Sequence, residues 1–161
     1  MQGTGAALVG AAIGQYSGLA LLIPLGAAAA FWAITSKTAT GTTKVVHPAV
    51  AVQVGHVVWF FVAAFSSPAA LSSIWFDILL MTGGLIWLYL KPGLGPIVLL
   101  TAWQALALLI NVQALVEASI GTAAHKALLV HVALRITAIY LMVTTIAVLR
   151  RESRGEPRAA D

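Results

Sequence analysis

The sequence predicts an all-α integral membrane protein, a helical bundle of five transmembrane helices with its N-terminus outside and its C-terminus inside. Three observations lead there. Of the 161 residues, 60% are hydrophobic and only 9% charged, with a mean hydropathy of +0.96, the profile of a chain that uses lipid as its solvent. The apolar residues fall into long runs separated by short polar breaks. The fixed positive charges collect at alternate breaks, as the positive-inside rule requires.

Each span follows from its own run. Residues 5–35 carry no charge, a stretch too long for one upright span and too short for two. It reads as one tilted or bent helix, placed at about 10–35, with Pro24 at the bend because proline removes a backbone hydrogen bond. Gly10, Gly14 and Gly18 share one face of it, the spacing that lets two helices approach closely in lipid. They are the expected helix-packing face, turned either to a second copy or to a neighbouring helix of the same chain. A Ser/Thr/Lys loop over 36–44 precedes a second span at 45–65, with Pro48 in its first turn. Ser66-Ser67-Pro68 turns the chain into a third span at 69–90. The breaker Lys91-Pro92-Gly93-Leu94-Gly95-Pro96 leads to a fourth span at 97–116, and a short loop leads to the last at 124–149. Residues 1–149 thus form one transmembrane domain, and 150–161 read as a charged, disordered cytoplasmic tail.

With five spans, Lys37, Lys44, Lys91, Arg150, Arg151, Arg154 and Arg158 lie inside, Lys126 lies outside, and Arg135 lies within the membrane. A four-span arrangement loses that asymmetry. No basic region precedes the first apolar run, so no cleavable signal peptide is expected. The expected location is a bacterial cytoplasmic (inner) membrane. The basic residues lie at helix ends and form no single patch, which argues against nucleic acid as a partner.

The last span organises the rest. His131 and Arg135 stand one turn apart on a stripe with Ala124, Leu128, Ala138, Met142 and Thr145. Arg135 is about 18–21 Å from either end of the helix. Facing lipid there costs from about 3 to more than about 10 kcal/mol, so the guanidinium requires a partner. Counting helical rise, Arg135, His56 on the second span and Asp77 on the third share a depth, with Gln104 just below and Asn111 and His131 just above. Asp77 and Arg135 are the fixed acid and base within the membrane and are expected to pair. The pair reads either as a device fixing how two helices pack or as the lining of a proton, ion or substrate path.

Three functional readings come from this polar layer. The leading one is a non-enzymatic transport, channel or accessory subunit, working as a homo-oligomer or within a larger membrane assembly and needing no cofactor. The second is a b-type cytochrome holding haem b between His56 and His131; their expected difference in depth, about 7 Å, stands against it. The third is an enzyme acting on a lipid or isoprenoid, with His56, Asp77 and Arg135 around an anionic head group. Soluble-type catalysis is poorly served. Cysteine is absent, Asp77 is the lone intramembrane acid, and no GxSxG, HExxH or phosphate-binding loop occurs.

Overall fold

A computed structural model describes residues 22–66 and 68–155, and it is helical, with no strand among those residues. Five helices follow in order: α1 (Leu22–Thr35), α2 (Gly41–Ser66), α3 (Pro68–Leu90), α4 (Leu94–Glu117) and α5 (Ala123–Ser153). Three are long and apolar enough to cross a membrane, over Gly41–Val62, Leu94–Glu117 and His131–Ser153. The described apolar stretches Leu22–Thr35 and Ile74–Leu90 are shorter. Gly10, Gly14 and Gly18 lie outside the described residues.

Three helices begin or end away from the expected positions, and in one of them, α4, the start at Leu94 puts Gly95 and Pro96 of the expected breaker inside the first turn. Helix α2 starts at Gly41, not near 45, so Pro48 sits inside it and not in its first turn. Its missing N–H frees a carbonyl one turn back. Helix α5 continues through Arg150 and Arg151 into the segment read as tail, and these two arginines occupy its last turn. Cations there meet the negative end of the helix dipole and the last free carbonyls. At its other end, the Thr122 hydroxyl accepts from the His125 amide at 3.2 Å and donates to the Ser119 carbonyl at 2.7 Å. Gly121 turns the chain just before with φ +84°, a conformation other residues rarely take.

Packing places α2 against α1, α3 and α5, and α4 against α3 and α5. Of the three long apolar helices, α2 is the most enclosed. Helix α1 crosses it at Gly55, where a Cβ would collide with the carbonyl oxygen of Pro24 and approach Ala28 Cβ at 3.2 Å. Trp59, Met81, Leu88, Ile97, Leu128 and Met142 are wholly buried between the helices. On α5 the buried stripe is Leu128, His131, Arg135, Ala138, Met142, Thr145 and Leu149, alternating three and four residues apart as a helix seam does.

The outer surface is apolar. Leu25, Ile34, Leu79, Ile86, Leu90, Leu109, Ile136 and Tyr140 are exposed, far more greasy area than a water-soluble monomer presents. His47, His56, His131, Gln53, Gln104 and Arg135 are inside instead. A bundle with polar residues buried and leucines outward fits a hydrocarbon surround.

Candidate functional site

Four helices contribute to one buried polar cluster, and Gln104 on α4 joins them. Its Oε1 accepts from Arg135 Nη1 of α5 at 2.6 Å. Its Nε2 donates to Gln53 Oε1 of α2 at 3.0 Å and lies 3.2 Å from His56 Nδ1, also of α2. Met81 Sδ of α3 is 3.4 Å from the same nitrogen, and Gln53 Nε2 in turn meets Met142 Sδ at 3.4 Å. A primary amide has two hydrogens and an acceptor oxygen, so both ends of Gln104 are engaged, with three acceptors grouped around the two hydrogens.

Arg135 is 2% exposed, and its closest polar partner is Gln104, not Asp77. Asp77 Oδ1 is 3.8 Å from Nη2, an ion pair without hydrogen-bond contact. That oxygen accepts instead from Trp103 Nε1 at 2.9 Å. The Asp77 side chain is 24% exposed, so the acid stands at the edge of the bundle and the base at its centre. Phe60 fills the other side of Arg135, with the guanidinium carbon 5.7 Å from the ring centroid, within cation–π range.

The histidines meet across Phe60. His56 stacks on it at 5.1 Å and 6°, His131 lies 5.8 Å from it, and the two imidazoles are 6.1 Å apart. The depth difference expected from helical rise is therefore taken up by the packing of α2 on α5. Trp59 Nε1 donates to His131 Nε2 at 3.1 Å. That bond puts the neutral ring's proton on Nδ1, and the Gln104 amide likewise leaves the His56 proton on Nε2. His131 Nδ1, His56 Nε2 and Arg135 Nε are all buried and have no hydrogen-bond partner.

A haem iron would need an imidazole lone pair; Trp59 bonds Nε2 of His131 and the Gln104 amide lies against Nδ1 of His56, and Phe60 packs against both rings. No group of three or more His, Asp or Glu able to hold a metal ion occurs among the described residues.

Of the residues picked out in the sequence, His56, Asp77, Gln104, His131 and Arg135 come together here. Asn111 does not. It is buried two turns further along α4, with Nδ2 unpartnered. Gln53, Trp59, Phe60 and Trp103 complete the cluster. Gln53 and Phe60 share a helical face with His56, at three residues before and four after, a face legible in the sequence, whereas nothing there marks Trp59 or Trp103. Trp103 is expected to matter through one bond. Trp103→Phe keeps the ring bulk but removes the donor to Asp77, and should lower stability by about 1–2 kcal/mol in detergent-titration unfolding. An unchanged unfolding midpoint would show that Asp77 is satisfied by solvent.

One cavity of about 260 Å³ lies elsewhere, where α1 ends, α2 begins and α3 ends. None of the cluster residues lines it. Set against known proteins, the chain matches no family model, no curated protein and no solved structure.

Proposed function

We propose that this chain is a small non-enzymatic membrane protein of transport or accessory type, with five spans, N-terminus outside and C-terminus inside, whose working centre is the Gln104–Arg135–His56 cluster. One observation carries the reading: a guanidinium 2% exposed near the middle of its helix, linked directly to Gln104 and held only loosely by its acid. Stability alone does not call for it. Apolar residues of similar volume usually serve a buried core as well or better, and charged groups at this depth ordinarily mark ion or proton paths. The unpartnered nitrogens point the same way, because a purely structural network is expected to be satisfied throughout. Asp77, partly exposed at the bundle edge, gives the cluster an outlet. The lipid-enzyme reading gains no support from the cavity at the α1–α2–α3 end, which none of the cluster residues lines.

The experiment is reconstitution of the full chain into liposomes enclosing a pH-sensitive dye, with proton, sodium, potassium and chloride gradients imposed in turn. A transporting role gives a flux that Arg135→Gln abolishes while the protein still elutes as a folded species. An accessory role gives no flux and a stoichiometric partner after gentle extraction from the native membrane. The absence of both flux and partner would overturn the proposal.

A further inference from the structure

Four groups of the central cluster can carry a proton, His56, Asp77, His131 and Arg135, and their partners decide which of them can exchange one. Arg135 stays charged, because a guanidinium is not deprotonated in a protein. It has no acceptor to offer, so Gln104 turns Oε1 towards it at 2.6 Å. That orientation puts Nε2, a pure donor, 3.2 Å from His56 Nδ1. His56 Nδ1 is therefore a lone pair, and a proton added there would stand against an N–H. His131 is held in the same way. The Trp59 indole can only donate, and it lies 3.1 Å from His131 Nε2. Both imidazoles are thus kept neutral by donors that face their bare nitrogens.

Asp77 differs from them on three counts. It is the one acid that the sequence places within an apolar span. Its side chain is 24% exposed, whereas His56, Gln104, His131 and Arg135 are all buried, so it is the member of the cluster that reaches the outside. Both of its protonation states also leave Trp103 and Arg135 with a partner. As a carboxylate it faces the guanidinium at 3.8 Å and accepts from Trp103 at 2.9 Å. As an acid it still accepts from Trp103 through Oδ1, with its hydrogen on the other oxygen, and Arg135 keeps Gln104 Oε1 and the face of Phe60. The loose ion pair is what permits the change, since a direct two-point pair with Arg135 would be lost on protonation. The groups around it from the neighbouring helices are His56 of α2, Trp103 and Gln104 of α4, and His131 and Arg135 of α5. Among these, Arg135 is the fixed charge.

We infer that Asp77 is the proton-exchanging residue of this cluster and that the ion the centre handles is the proton. The inference rests on the transport reading above and narrows it. Other ions are poorly served. A sodium or potassium ion is coordinated by several oxygens, but the amide oxygens of Gln53 and Gln104 already accept, and Arg135 repels a cation beside them. An anion would go to Arg135 and the free N–H groups, but Arg135 Nε, His56 Nε2 and His131 Nδ1 are sealed inside the bundle. A proton needs one carboxyl oxygen, and Asp77 brings its carboxyl to the bundle edge.

The test uses the full-length protein in liposomes, with the aspartate side-chain carboxyl labelled with ¹³C and histidine with ¹⁵N. Asp77 and Asp161 are the two aspartates of the chain, so in Asp161→Asn the one labelled carboxyl is that of Asp77. The expected result is a single-step movement of the Asp77 carboxyl carbon with pH, while the rings of His56 and His131 each keep one protonated and one bare nitrogen throughout. In the same liposomes a pH gradient should drive a proton flux that falls to the level of empty vesicles in Asp77→Asn, and sodium, potassium and chloride gradients should drive none. Histidine nitrogens that titrate while the Asp77 carboxyl does not would overturn the assignment, as would a proton flux that Asp77→Asn leaves intact. Flux of sodium, potassium or chloride in place of protons would keep the transport reading and overturn this one. No flux of any ion, with Asp77 titrating alone, would remove the transport reading and still support Asp77 as the exchanging group. If Asp77→Asn fails to fold, the carboxyl and imidazole titrations decide.

Discussion

Gln104→Leu should be the most damaging single substitution in the central cluster, costing about 3–5 kcal/mol, the range for breaking a buried charged interaction from one side. The change is close to isosteric, so no large cavity arises. It removes the 2.6 Å acceptor from Arg135 and the donor facing Gln53 and His56. What remains for the guanidinium is a carboxylate at 3.8 Å and the face of Phe60, too little to replace a direct hydrogen bond to a buried charge. Arg135→Met should therefore rescue Gln104→Leu in part, with a coupling of about 1.5 kcal/mol or more in a double-mutant cycle. The same cycle between Asp77→Asn and Arg135→Gln should give a coupling of the same sign but smaller, because Asp77 is 24% exposed and bonded to Trp103. Unfolding by SDS titration in mixed micelles, followed by tryptophan fluorescence, supplies all the values. Plain additivity in the Gln104 cycle, or a larger coupling in the Asp77 cycle, would show that the amide is not the hub.

The expected Asp77–Arg135 pair is present, at 3.8 Å, but the Gln104 amide stands nearer the guanidinium, and the reason is instructive. Depth along a helix is readable, because rise per residue is fixed; it put His56, Asp77 and Arg135 at one level, and they do meet. Rotation about the helix axis was legible for α5, where the repeat from Leu128 to Leu149 leaves one buried face. Which neighbour a side chain reaches first depends on how far helices stand apart and how they tilt, and sequence carries little of that. Opposite formal charge made Asp77 the natural partner of Arg135, yet a neutral amide on the enclosed face of α4 is nearer. Trp103 is one of five tryptophans spread along the chain, and nothing in the sequence marks it as the one whose N–H Asp77 holds. The cavity at His47 was invisible for a related reason. It arises from α2 starting at Gly41 and from Leu88 and Tyr89 arriving beside it from α3. The small-residue contact was expected at Gly10, Gly14 and Gly18, outside the described residues, whereas the close crossing that is described lies at a single glycine of α2.

That glycine gives the second large effect. Gly55→Ala places a methyl group against the Pro24 carbonyl oxygen. The obstacle is helix backbone, which yields only if the whole of α1 moves, so overpacking of about 1–3 kcal/mol is expected. Gly55→Leu should go further and detach α1 from α2. Two controls separate this from the intrinsic effect of adding a side chain to a helix. At Gly26 and Gly83 a Cβ meets nothing within 4 Å, and alanine there should be neutral or stabilising by up to about 1 kcal/mol, since glycine is the poorer helix former. Gly84 is intermediate, because the atoms its Cβ would meet belong to the Leu100 side chain, which can turn where a carbonyl cannot. The expected order of stability is Gly26→Ala and Gly83→Ala above Gly84→Ala, and Gly84→Ala above Gly55→Ala. The distinction matters for the cavity as well, since Phe31 and Thr35 reach it from α1. A protein whose α1 has been lifted at Gly55 should lose the α1 wall of that cavity while keeping the Gln104–Arg135 coupling. If Gly55→Ala unfolds at the same SDS fraction as Gly26→Ala, α1 does not cross α2 at that point, and the α1 wall of the cavity is misplaced with it.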